Sequence, residues 1–199
     1  MKMSKHINTH IKWLLALGAL VTGLSHNAIA AEVNGVKLDE TVRVANQELK
    51  LNGAGVRTRA VFKVYVAGLY LPEKKKTVPE ILAQNGPRRM RMVLVRDVNS
   101  EDMGQAFMDG LNANSDKTEK AKFVNQTVKM GEIFASIPAL KAGDTITNDW
   151  IPGSGMHVLV NDKRVGDILP DLAFYNAFLK IWLGEKPADN SLKQALLGN

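Results

Sequence analysis

The sequence predicts an α+β fold built on an antiparallel sheet. Three observations carry this. Period-two alternation of apolar and polar residues dominates Val36–Val98. Helical periodicity collects in a central block and again at the C-terminal end. The later strands are joined by Gly- and Asp-containing turns and not by helical crossovers, so no βαβ repeat is present.

Residues 1–30 read as a removable export signal. Lys2, Lys5 and Lys12 form a basic n-region, Trp13–Ser25 an apolar h-region, and Ala28-Ile29-Ala30 a small-x-small cleavage pattern. An apolar run of roughly 13 residues is shorter than the ~20 that span a bilayer. The mature chain is therefore expected to begin at Ala31, to be soluble and periplasmic, and to form one domain over residues 31–199.

Val36–Val44 and Gln47–Gly53 alternate as strands, and Leu51–Lys74 carries enough Val, Phe and Tyr for two more. Thr77–Asn85 reads as a short helix with Pro79 in its first turn. Arg88–Val98 returns to strand, setting Met90, Met92 and Leu94 against Arg89, Arg91 and Val93. Ser100 reads as a helix N-cap, with Glu101 and Asp102 at the positive end of the dipole. Met103, Phe107 and Leu111 then form an apolar stripe. A second helix is expected over about Lys117–Ala135, with Ala121, Val124 and Val128 on one face. Residues 143–152, 155–162 and 163–169 read as strands, the last two joined at Asn161–Asp162. Asp171–Gly184 is an amphipathic helix ended by glycine, and a short helix follows over residues 191–198.

Composition excludes several function classes. There is no cysteine, and His157 is the one histidine left after cleavage, so neither a Cys/His metal centre nor a Cys–His or Ser–His nucleophile with a choice of partners is expected. Cleavage removes three lysines and lowers the formal charge from +6 to +3. Lys74–Lys76 and the run Arg88, Arg89, Arg91 have no interleaved aromatic residues, and they read as a solvated rim, not a nucleic-acid surface. Stable membrane insertion after cleavage is not expected, nor is a cofactor. Gly53-Ala54-Gly55 lacks the third glycine of a dinucleotide fingerprint. Pro152-Gly153-Ser154-Gly155 lacks nucleophile-elbow spacing, so Ser154 reads as a turn residue. His157 sits inside an alternating strand and reads as structural. Asp97, with Glu101 or Asp102, is explained by helix-cap chemistry.

The segment Asn52-Gly-Ala-Gly-Val-Arg57, followed by Phe62–Leu71 with Gly68-Leu69-Tyr70-Leu71, resembles the chalcone isomerase superfamily, in particular its bacterial exported branch. The C-terminal stretch from Lys180 to Gly198 and Arg96-Asp97-Val98 fit the same resemblance, which spans Val33–Gly198. It implies helices packed on one face of the antiparallel sheet, an open-faced β-sandwich with a ligand cleft between the layers. The resemblance places Arg57 at the arginine that neutralises a phenolate in the plant enzymes. Their threonine corresponds to Tyr65, their tyrosine and asparagine fall near Met103 and Gly110, and their late threonine falls near Ile181.

In the fatty-acid-binding members, an arginine and a tyrosine at the positions of Arg57 and Tyr65 hold a carboxylate. Such a pairing is physically apt, because a guanidinium offers a permanently charged fork and a phenol one further donor. Met103, Phe107 and Leu111 would then line an apolar wall. The resemblance thus implies a protein that binds a small amphipathic carboxylate or similar apolar ligand, with no catalytic residues assigned. An intramolecular lyase using Arg57 to stabilise an oxyanion stays open. Tyr175 or Lys63 beside Arg57 would favour it. A structural module with a closed cleft also stays open, with Arg57 paired to Asp144 or Glu132 at the sheet edge. Arg57 and Tyr65 meet only if the chain reverses between them, where Ala60, Val61 and Phe62 are weak turn formers.

Overall fold

The computed structural model describes residues 30–137 and 139–199. The expected export signal lies outside the described residues, apart from Ala30. A two-stranded hairpin, β1 (Ala30–Val33) and β2 (Val36–Asp39), stands beside a seven-stranded antiparallel sheet. That sheet runs in chain order through β3 (Thr41–Val44), β4 (Gln47–Arg59), β5 (Phe62–Leu71), β6 (Arg88–Leu94), β7 (Thr145–Ile151), β8 (Gly155–Val160) and β9 (Lys163–Arg164).

The helices are α1 (Val78–Ala83), α2 (Ser100–Asn114), α3 (Lys117–Lys122), α4 (Val124–Ser136), α5 (Leu172–Leu183) and α6 (Asn190–Leu196). Residues of α2, α4, α5 and α6 join the inward side chains of β5 to β8 in the main core. The opposite face buries a smaller cluster around Leu38, Leu49, Val66 and Tyr70, against which Val33 and Val36 of the β1–β2 hairpin pack.

Several sequence expectations change. Val36–Val44 is not one strand: it breaks at Glu40, and its halves join different sheets. Conversely, Gln47–Arg59 runs unbroken, so Gly53 continues a strand. The reason is α6, which crosses β4 at Gly53 and Gly55. A Cβ on Gly53 would lie 2.0 Å from the Ala195 carbonyl oxygen, and one on Gly55 would lie 2.7 Å from Ala195 Cβ. The glycines of the Gly-Ala-Gly segment therefore admit a helix backbone. The strand expected over residues 163–169 shrinks to Lys163–Arg164, followed by a single bridge from Leu169 to Met156.

The long helix expected after residue 117 breaks at Phe123, whose ring is buried edge-on against Phe174. With the axis reset there, Val124 and Val128 are both 56% exposed, and Met130 and Ile133 face inward instead. Asn99, not Ser100, caps α2 by accepting from the Asp102 N–H, while the Ser100 hydroxyl donates to the Ile137 carbonyl. Helix α5 is buried on nearly every side, so it is a core helix and not an amphipathic surface one.

The basic run at 88–91 is not a solvated rim. Arg88 is fully buried, donating from Nη1 to the Ile81 carbonyl and to Asn176 Oδ1, with its guanidinium 5.1 Å from the centre of the Tyr175 ring. On the other face Arg89 holds the buried Asp149 through two bonds of 2.6 and 2.7 Å.

Candidate functional site

A cavity of about 810 Å³ lies between the inward face of the sheet and helices α2 and α5. That is within the usual range of roughly 300–1,000 Å³ for small-molecule sites. Arg57, Tyr65, Met103 and Phe107 all line it, and so do Gly110 and Ile181, so these six positions singled out in the sequence converge on one space.

The β4–β5 hairpin brings Arg57 and Tyr65 together. The chain does reverse between them: Ala60 takes φ +53°, and Arg57 becomes the cross-strand partner of Tyr65. Directly opposed residues of an antiparallel pair project from the same face, so the two side chains share the cavity. A register shift between Arg57 and Thr58 leaves Val64 without a register partner on β4, and both Val64 and Tyr65 line the cavity.

Tyr65 is buried, and its hydroxyl oxygen accepts from Trp182 Nε1 at 2.7 Å. Burial raises its pKa, which the Trp182 N–H and the nearby Arg57 charge only partly offset, so the phenol stays protonated at neutral pH. An indole nitrogen can only donate, so the phenol hydrogen is not committed to Trp182. It remains available to an acceptor in the cavity.

Arg57 donates to the Thr58 carbonyl and lies 3.9 Å from Asp189. Asp189 replaces Asp144 and Glu132 as the anionic neighbour. Asp144 instead accepts from the Lys141 N–H and from Asn161. Asp189 caps α6, accepting from the Leu192 N–H, and also accepts from the Thr58 N–H. Burial pushes its carboxyl up, but these backbone donors and Arg57 outweigh that and hold it below the usual carboxylate range. The terminal helix and the arginine are thus tied through one carboxylate.

The walls are largely apolar, although Asp97, Asp102, Gln105 and Asp109 also belong to the lining. Met92, Ile146 and Val158 line the cavity from the sheet, facing Met103, Phe107, Phe134 and Phe178 from the helices. Phe107 stacks obliquely on Phe134 and Phe178, with centroids at 5.5 and 6.3 Å. The mouth carries Arg59 and Phe62, both exposed, with the Arg96 guanidinium 4.9 Å above the Phe62 ring. Gly110 admits α5, since a Cβ there would lie 2.6 Å from Ile181 Cγ2.

Neither group that would have favoured proton transfer lines the cavity with Arg57. The Tyr175 hydroxyl donates to the Arg88 carbonyl in the core, and Lys63 reaches Asn34. Ser154 and His157 do bond to each other at 2.8 Å, but neither lines the cavity, and the Asp149 opposite His157 is committed to Arg89. Among the described residues, no three His, Cys, Asp or Glu side chains converge as a metal site. Nor is any described helix long and apolar enough to cross a membrane.

Sequence reading missed Trp182, Asp189 and Asn148. Asp189 carried a signal, since an Asp at the start of a helical pattern is a natural N-cap. Asn148 carried one too, being in phase with Ile146 and Trp150 along an alternating strand.

A chalcone isomerase-like family model matches residues 30–198. In structure the chain is similar to an Arabidopsis thaliana fatty-acid binding protein, with a TM-score of 0.63, 16% identity, and coverage of 82% of this chain and 92% of that one. At that identity the likeness is one of fold. No curated protein matches the sequence.

Proposed function

The chain belongs to the chalcone isomerase-like family, and from that premise we propose that it binds a small amphipathic carboxylate, such as a fatty acid, without transforming it. The observation that carries this reading is the rung on which Arg57 and Tyr65 face each other in a largely apolar cavity, with the phenol hydrogen left over. A carboxylate drawn into such a space needs pairing and hydrogen bonds to offset its lost hydration. The guanidinium and the phenol supply both. The apolar walls then bury the tail, each methylene contributing about 0.8 kcal/mol. The fold likeness to a fatty-acid binding protein supports the same ligand class.

The test is titration of the delipidated protein with a long-chain fatty acid. Arg57→Ala weakens binding by about 2–5 kcal/mol, the cost of leaving a desolvated charge unpaired. Tyr65→Phe removes one donor to a charged group and costs about 1.5–3 kcal/mol. Arg59→Ala, at the exposed end of the hairpin, costs at most about 1 kcal/mol, the weight of an exposed charge. Absence of saturable binding, or equal losses from all three variants, overturns the reading.

Export to the periplasm is part of the same proposal, supported by the basic and apolar pattern of residues 1–30. N-terminal sequencing of the exported protein is expected to begin at Ala31. An intact Met1 on a membrane fraction overturns it.

A further inference from the structure

Asn148 is 2% exposed and lines the cavity, yet its side-chain amide has no hydrogen-bond partner among the described residues. The lining around it on the sheet and α5 includes Met92, Ile146, Val158 and Phe178, which offer no donor and, in the Met92 thioether, no more than a weak acceptor. The next inward residues, Trp150 on β7 and Met156 on β8, do not line the cavity, so Asn148 marks its inner end.

The ladder places this amide far from the arginine–phenol pair. Tyr65 pairs with Leu94, whereas Asn148 pairs with Met90. The two positions are therefore four residues and two strand spacings apart, roughly 17 Å between backbones. A saturated acyl chain held by its carboxylate would bring bare hydrocarbon to a buried amide and leave it unsatisfied. A ligand with an oxygen function there would satisfy it.

We propose that Asn148 is a specificity-determining residue, and that the preferred ligand is an oxygenated acyl chain: a carboxylate at the Arg57–Tyr65 end and a distal hydroxyl or oxo group bonded to the Asn148 amide. Hydroxyl and carbonyl oxygens both suit it, because an asparagine amide donates and accepts. This inference rests on the carboxylate reading above. It also separates the functions of the two ends: one admits acids as a class, the other selects among acids of similar length.

The experiment compares hexadecanoic acid with the series of its monohydroxy derivatives, the hydroxyl moved stepwise towards the far end, by titration calorimetry on the delipidated protein. One distal isomer is expected to bind about tenfold tighter than the unsubstituted acid, the weight of one satisfied buried polar pair. Asn148→Leu is expected to abolish or invert that preference while leaving hexadecanoic acid bound at least as tightly. Asn148→Gln, which keeps the amide on a longer stem, is expected to move the preferred hydroxyl position nearer the carboxylate. Equal affinity across the series in wild type overturns the inference and leaves the carboxylate reading intact. So does a preference that survives Asn148→Leu. If no acid of either kind saturates the protein, both readings fall together.

Discussion

The bond from Trp182 Nε1 to the Tyr65 hydroxyl gives a prediction whose size follows from donor chemistry. At 2.7 Å and fully buried, it satisfies an N–H that has no other described acceptor. Tyr65→Phe removes the acceptor and leaves that N–H in an apolar setting, at a cost of about 1–3 kcal/mol. Trp182→Phe removes the donor instead. The phenol oxygen is then relieved by its Arg57 neighbour and the cavity, so only the bond's net value of about 0.5–1.5 kcal/mol and some packing against Phe178 are lost. The double variant has no orphaned group. Its destabilisation should therefore fall short of the sum of the single ones by about 1–2 kcal/mol, within the range seen for residues in direct contact. Urea unfolding of the four proteins measures this cycle without any ligand. Additivity to within about 0.5 kcal/mol would refute the bond as a stabilising contact, and with it the argument that Trp182 leaves the phenol hydrogen free.

Three further predictions test the frame around the cavity. Gly53→Ala would drive a methyl into the Ala195 carbonyl, displacing α6 at a cost of about 1–3 kcal/mol; because α6 carries Asp189 beside Arg57, fatty-acid affinity should fall in the same variant, and a change in neither overturns the account of that crossing. His157, the one histidine among the described residues, is held below its usual 6.5 mainly by burial and secondly by Arg164, so it contributes stability that is present above that value and lost as pH falls through its lowered one; thermal melts between pH 7.5 and 5 should show a decline that flattens in His157→Asn. Arg88→Met should stay within about 2 kcal/mol of wild type by chemical denaturation despite full burial, because Nε and Nη2 have no partner and a desolvated cation is itself costly.

Much of the architecture was legible because period two and helix-cap chemistry are local. Arg88–Leu94 alternates as expected, and Met103, Phe107 and Leu111 form the expected stripe. Arg88 was misplaced because charge was weighed above phase, although it lies in phase with Met90, Met92 and Leu94. The same phase argument applied to residues 145–151 would have turned Asn148 inward. Other features have no local signal. The turn at Ala60 needs a positive φ that alanine does not advertise, and the break at Phe123 follows from the ring's place against Phe174. Gly53 and Gly55 gain their meaning from a helix more than 130 residues later in the chain. The resemblance supplied the pairing of Arg57 with Tyr65, and the hairpin supplied its geometry.

That hairpin has a consequence for how this protein can change over generations. On the proposed reading, head-group recognition sits on a single rung whose alignment is fixed by backbone bonds, whereas most of the surface left for the tail belongs to helices α2, α4 and α5. The two sets of residues are therefore free to drift at different rates. Substitutions along α2 would then alter the length and shape of the tail that fits, without touching the Arg57–Tyr65 rung. A one-residue insertion in the Ala60 turn that slips the pairing would do the reverse: it would turn one partner to the other face and end the proposed acid recognition while the helical wall stays intact. On that reading, a lineage built this way could exchange one ligand tail for another in small steps, but it could lose its preference for acids in a single event.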